Sequence, residues 1–294
     1  MGNGHEIEDS DRLVGGSPLL AKARDTLRVR HYSIRTELAY LGWIRRYILF
    51  HHKRHPNDMG EPEVEAFLNH LAVKANVAAS TQNQALNALV FLYRHVVKRE
   101  LQRGMTITHA KRPERLPTVF DREEVQRILT CLTGLPGLIA RLQYGTGMRL
   151  MECLRMRVQD IDFKRRQILV RSGKGNKDRA ALLPAELIPV LNRQLKLARA
   201  AHQADLAEGF GEVYLPHALE RKYPNSAKEW GWQYAFFAPD RAIDPRSGKE
   251  RRHHIHESVV QKALKRAMRE AGINKQGSTH ALRHSFATHV LEDG

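Results

Sequence analysis

Arg149, Glu152, Lys174, His280 and Arg283 are the residues whose types and spacing could do chemistry together. Each has an ordinary reading by itself. Arg149 follows a Gly145-Thr146-Gly147 helix break, and Glu152 three residues on could pair with it as a helix-surface ion pair. Lys174, on a glycine-flanked turn, could be an exposed loop residue. His280 and Arg283 share one helical face, from which both could reach a phosphate oxygen. Taken together, the five describe an electrostatic cage for phosphoryl transfer without a metal. Two arginines clamp the nonbridging oxygens of a pentacoordinate phosphorane, a lysine protonates a leaving 5′ oxygen, and a histidine moves a proton at the nucleophile. A metal-dependent nuclease would need convergent carboxylates, and Asp160 and Asp162 have no third acidic partner nearby in sequence.

Several elements must position these groups. Asp121 and Glu124 make a capping box for a helix through Leu132, and a second helix runs from about Leu138 into the Gly-Thr-Gly break. Residues 167–171 and 179–183 are strand-like runs around a Gly173-Lys174-Gly175-Asn176-Lys177 turn, which predicts a β-hairpin with lysines at its tip. Helices follow at about 185–206, 257–271 and 279–291, separated by a mixed, aromatic-rich segment at about 207–255. Upstream, Ser33 caps a helix with Leu38, Leu41, Ile44, Ile48 and Leu49 on one face. Pro62 opens a second helix, Ser80 or Thr81 a third, and a weaker segment lies near Leu19 to Val29. The expectation is a helical domain at 1–103, a linker at 104–118 and a second domain at 119–294, mainly α with a small β-sheet.

The 294 residues carry 48 Lys plus Arg against 32 Asp plus Glu, a net +16. The excess is +6 through residue 112 and +10 after it, as two domains gripping one duplex require and a single basic tail does not. No run approaches the roughly 18 apolar residues of a spanning helix, so no membrane role is expected. The N-terminus lacks an apolar signal region, and Cys131 and Cys153 are too few for a disulfide framework or a zinc site. A cytoplasmic protein, with both cysteines buried as small hydrophobes, is expected.

The order Gly-Thr-Gly-x-Arg-x-x-Glu, then Gly-Lys-Gly-Asn-Lys, then His-x-x-Arg-His-Ser-Phe-Ala-Thr-His resembles the catalytic domain of the tyrosine site-specific recombinases, the phage-integrase family. More narrowly, residues 218–225, 229–234, 244–248 and 251–254 resemble the additional segment of integron integrases, and residues 31–37 and 43–47 resemble their N-terminal domain. The resemblance implies a helical, SAM-like core-binding domain and a mixed α/β catalytic domain closing as a C-shaped clamp on DNA. It assigns Arg149 and Arg283 as phosphate clamps, Lys174 as general acid, His280 as the pentad histidine and Glu152 as support for the neighbouring arginine. It implies neither metal nor other cofactor. The partners would be a duplex platform site and a folded single-stranded cassette site, with a tetramer of the full-length form on DNA, associated with a bacterial nucleoid.

The family's nucleophilic tyrosine lies some 20 to 40 residues beyond the His-x-x-Arg motif. Here no tyrosine follows Tyr234. The expectation is a shortened chain that binds DNA without completing cleavage; the alternative is a non-catalytic, architectural DNA-binding protein. In the 207–255 segment, half or more of the aromatics are expected in a core, and others stack on unpaired bases. Candidates for those contacts are Trp230 or Trp232, Pro239 and His254, with Arg45, Arg46 and Lys177 as further DNA contacts. The clusters His51, His52, His55 and His253, His254, His256 are read as basic DNA-facing surface, because neighbouring arginines and lysines would repel a metal.

Overall fold

The computed structural model describes residues 13–101, 116–171, 178–216 and 219–293. Lys174 and Lys177, with the rest of the lysine-bearing turn, lie outside the described residues, as does most of the expected linker. The chain divides into two compact units, Met1–Arg115 and Leu116–Gly294.

The first unit is helical: α1 (Pro18–Val29), α2 (Ile34–Phe50), α3 (Glu61–Asn69) and α4 (Ala79–Phe91). Ser33 starts α2 by accepting the Thr36 N–H at 3.2 Å, and Glu63 reaches back to the Gly60 N–H at 2.7 Å to start α3. The third expected helix opens earlier than Ser80. Ala78 is its cap, with no side-chain bond, and its carbonyl takes the Thr81 and Gln82 N–H groups. Leu41, Ile44, Tyr47, Val64, Phe67, Leu89 and Tyr93 form the core. Within it the Tyr47 and Tyr93 hydroxyls meet at 2.8 Å, which satisfies two polar groups that burial would otherwise penalise. Arg28 of α1 forks onto the buried Glu37 of α2 with contacts of 2.9 to 3.2 Å.

The second unit begins with α5 (Arg122–Cys131), whose Asp121/Glu124 box closes at 2.8 and 2.9 Å, then α6 (Gly134–Thr146) and the short α7 (Leu150–Leu154). An antiparallel sheet follows in the order β1 (Ile161–Asp162), β2 (Gln167–Val170), β3 (Arg179–Leu182), with Val170 opposite Arg179. Next come α8 (Ile188–Ala207), α9 (Leu219–Lys222), a second hairpin of β4 (Phe237–Ile243) and β5 (Glu250–His254), then α10 (Glu257–Glu270) and α11 (Thr279–Glu292). Ile168, Val170 and Ala181 bury one sheet face against Leu138, Leu142, Leu150, Leu154 and Leu191. Phe120, Ile128, Ala140, Leu264, Met268 and Leu282 tie α5, α6, α10 and α11 into a second core.

Three expectations need correction here. α6 starts at Gly134, four residues before Leu138. Cys153 is buried but Cys131 is only half-buried. The 207–255 segment holds the β4–β5 hairpin, which apolar alternation cannot reveal because its strands read FAPDRAI and ERRHH. Its turn is set by Asp244, whose Oδ1 accepts the Arg246 and Ser247 N–H groups at 2.8 and 3.1 Å. Among the described residues, no helix is long and apolar enough to cross a membrane.

Candidate active site

The site is built where α6 stops. Gly147 caps that helix at φ +63°, and a Cβ there would lie 2.5 Å from the Phe286 ring of α11, so both backbone angle and space demand glycine. The chain turns, and Arg149 enters α7 in extended conformation. At the third position of α7, Glu152 accepts the Arg149 N–H on Oε2 at 2.9 Å and the Arg149 guanidinium on Oε1 at 2.8 Å. The carboxylate therefore starts the helix and orients the arginine at once.

Two more arginines converge on that carboxylate. Arg179, the first residue of β3, donates to Oε2 at 2.6 Å, and Nη1 of Arg283 from α11 lies 3.8 Å from the same oxygen. Arg283 also donates to the Gly147 carbonyl. Glu152 is 10% exposed, whereas Arg149, Arg179 and Arg283 are 34%, 36% and 29% exposed. Burial pushes the Glu152 carboxyl up, but the Arg149 hydrogen bonds and the nearby arginine charges outweigh it and hold the group below the usual carboxylate range. Burial and the neighbouring Arg149 lower the Arg283 guanidinium from its ordinary value, which still leaves it protonated at neutral pH. Three guanidiniums around one carboxylate leave a local charge of about +2, half-open to solvent, suited to an anion that gains charge as it reacts.

The structure thus brings Arg149, Glu152 and Arg283 together. His280 sits one turn before Arg283 on α11 and is exposed. Arg179 escaped the sequence reading, although a signal existed. In the alternation Arg179, Ala181, Leu183, the arginine falls on the core-facing side of its strand, where a charge needs a partner. Asp160 and Asp162 are absorbed structurally: Asp160 accepts from the Arg157 N–H at 2.9 Å and from Arg171 at 2.6 Å, and Asp162 from the Arg165 N–H at 2.9 Å.

The aromatic segment is anchored from inside. Arg157 lies 3.6 Å from the centroid of the buried Tyr234 ring, donates to its hydroxyl at 2.9 Å, and reaches the Trp232 and Tyr214 carbonyls at 2.7 Å each. Burial raises the Tyr234 hydroxyl above its ordinary pKa despite the field of Arg157. Trp230, in a short 3-10 turn, is half-buried against α8, stacked on His202 at 6.1 Å with the Arg199 guanidinium 5.6 Å from its ring. Trp232 packs beside Val213, Leu215, Ala227 and Tyr234, while Pro239 is exposed on β4.

Only part of the two histidine clusters forms the expected basic surface. His253 stacks on Tyr234 at 5.6 Å, and His254 meets the same ring edge-on at 5.3 Å with Nδ1 2.8 Å from the Ile255 carbonyl. Burial, reinforced by nearby positive charge, lowers His254 to about 4 and also lowers His253, so both are neutral at pH 7. His256 is exposed and caps α10 by accepting the Ser258 N–H. His51 packs edge-on against Tyr47 and Phe50, leaving His52 and His55 exposed. Arg45 and Arg46 are exposed on α2, with Arg46 4.7 Å from the Trp43 ring centroid.

Comparison with known proteins gives the family. The model of the phage integrase N-terminal SAM-like domain matches residues 19–103, and that of the phage integrase family matches residues 118–294. An Escherichia coli integrase/recombinase is 48% identical over 276 residues, spanning 94% of this chain and 82% of the relative. Tyrosine recombinase XerA of Thermococcus onnurineus is 30% identical over 260 residues, spanning 87% of this chain and 74% of its own. Among solved structures, a lambda integrase dimer bound to a COC′ core site superposes with a TM-score of 0.59 at 15% identity, covering 94% of this chain and 86% of that one, a likeness of fold. With the family's model spanning every element that builds the arginine site, this chain belongs to the phage integrase family, the tyrosine recombinases.

Proposed function

We propose that this chain serves site-specific recombination in the manner of the integron integrases, gripping a duplex platform site and a folded single-stranded cassette site. The observation that carries the reading is the half-open arginine cluster on Glu152, with its surplus of positive charge. Arg149 and Arg283 take the nonbridging oxygens of the scissile phosphodiester, and Glu152 orients Arg149. Lys174 gives a proton to the leaving 5′ oxygen, and His280 handles the proton at the nucleophile. In the complete reaction a tyrosine oxygen bonds to phosphorus as the 5′ oxygen departs, so the bond energy is kept in a 3′-phosphotyrosine for rejoining.

No residue of these 294 is assigned the nucleophile's part. Tyr234, the last tyrosine in the sequence, is buried and held by Arg157. The polypeptide as it stands is therefore proposed to bind DNA and hold its phosphate without forming the covalent link. Trp230 or Trp232, with Pro239 and His254, would meet bases that protrude from a folded strand, and Arg45, Arg46 and Lys177 would add phosphate contacts. A tetramer on DNA is the proposed working assembly.

The test is an electrophoretic shift on a bulged hairpin against a linear duplex of the same bases, with trapping of covalent product on a nicked suicide substrate. Hairpin-selective binding without adduct is expected. Equal affinity for the two DNAs overturns the cassette-site reading, and a covalent adduct overturns the assignment of an absent nucleophile.

A further inference from the structure

Arg179 has no role in the scheme above, yet it makes the shortest contact to the carboxylate at the centre of the site, 2.6 Å to Glu152 Oε2. That oxygen is contested. It already accepts the Arg149 N–H at 2.9 Å, and Arg283 Nη1 stands 3.8 Å away, beyond hydrogen-bond reach. Without Arg179, Oε2 would present an unfilled lone pair to a half-buried guanidinium about 1 Å short of it, and a direct ion pair would form. Arg283, which bonds the Gly147 carbonyl through that nitrogen, would then be drawn onto the carboxylate as well and away from the half-open side of the site.

We propose that Arg179 is a positioning residue that occupies Glu152 Oε2 and thereby keeps Arg283 free for phosphate. This inference rests on the reading of Arg149 and Arg283 as phosphate clamps. It also gives the β-sheet a part in the site, because Arg179 opens β3 and its place is fixed by pairing with Val170 of β2. Arg179 adds to the field as well. A phosphodiester carries one negative charge and its pentacoordinate form two, so the group that sets the local balance near +2 matters more to the transition state than to the ground state.

The experiment compares DNA affinity with and without orthovanadate, which adopts the trigonal bipyramid of the phosphorane. The DNA is a duplex selected for binding and nicked at each position in turn, with 3′- and 5′-hydroxyls at the nick. The readout is the ratio of the two dissociation constants, from which changes in overall affinity cancel. For the unsubstituted chain the ratio should exceed one at a single nick position, and Arg149→Ala should abolish it. Arg179→Ala should reduce the ratio about tenfold, the worth of a charge-assisted hydrogen bond, and Arg179→Lys should restore most of it. In a Glu152→Gln background, where the competing charge is gone, Arg179→Ala should cost clearly less, only what its own charge adds to the field. If the alanine variant does not fold, Arg179→Gln takes its place.

No vanadate effect in the unsubstituted chain would overturn the clamp reading and this inference with it. An effect that Arg149→Ala abolishes but Arg179→Ala leaves intact would overturn the role of Arg179 alone. Equal losses from Arg179→Ala in both backgrounds would also overturn it, because Arg179 would then act independently of Glu152.

Discussion

Two arginine clusters in the second unit are built from the same groups and reach opposite results. Around Glu152, three guanidiniums face one carboxylate, and each keeps about a third of its surface exposed. Around Asp205, near the end of α8, Arg241 donates to Asp205 at 2.7 Å, to Glu208 at 2.9 Å and to Glu250 at 3.0 Å. Arg252 forks onto Asp205 at 2.6 and 2.8 Å and bonds the Ala238 and Pro239 carbonyls. There, three carboxylates face two arginines, so no donor charge is left over. The second cluster stitches α8 to the β4–β5 hairpin, while the first is left with charge to offer a ligand. Counting where the donors go separates a structural arginine from a site arginine better than counting arginines.

Four changes would break or sharpen that contrast. Asp205→Ala should have the largest effect on stability, a loss of about 3 kcal/mol, because the Arg252 fork loses its carboxylate and that guanidinium is left facing Arg241 across the register pair of β4 and β5. Urea unfolding measures it, and a loss under about 1 kcal/mol would mean the cluster is dispensable. Gly147→Ala should cost about 2 kcal/mol through the positive φ and the Phe286 contact, and should displace the carbonyl that receives Arg283. Its signature is a fall in melting temperature together with loss of any vanadate effect on nicked DNA.

The third change concerns pH. His254 is held neutral in the fold, at about 4 against about 6.5 in an unfolded chain, so the unfolded state binds more protons between those values. Its contribution is complete above about pH 6.5 and is lost as the pH falls towards about 4. His254→Gln should flatten the stability profile over that window, by about 2 kcal/mol between pH 7 and 5, as unfolding titrations at several pH values would report. An unchanged slope would place the pH dependence elsewhere. The smallest effect on stability belongs to Arg283→Ala, under about 1 kcal/mol, since a partly exposed cation among like charges contributes little to folding. Most DNA affinity should survive it, because many other cations share the phosphates. Total loss of binding in a shift assay would show that the site carries affinity as well as chemistry.

The legibility of the molecule varied with the range of the interactions involved. Helix starts written by a single side chain, such as Ser33 before α2 or Asp121 with Glu124 before α5, could be read directly because cap and partner lie three residues apart. The hairpin strands β2 and β3 were legible from their apolar runs, and the ordered arginine motifs gave the family. The start of α4 was missed because Ala78 offers no side-chain signal, and β4–β5 because its strands are fixed by ion pairs to a distant helix rather than by apolar alternation. His254 looked like basic surface in a run of arginines and histidines. Only packing against Tyr234 makes it a neutral, half-buried ring.

By itself, the sequence determined the charge excess, the local caps, the helical periodicity and the order of the phosphate-binding motifs, since each depends on composition or on residues a few positions apart. Only the tertiary structure decided which arginines meet at which carboxylate. Arg179 and Glu152 are 27 positions apart, and Arg283 joins them from the far end of the unit. Whether a guanidinium there is consumed by the protein or left for a phosphate turns on distances of about 1 Å, set by the packing of α6, α7, β3 and α11 around Gly147.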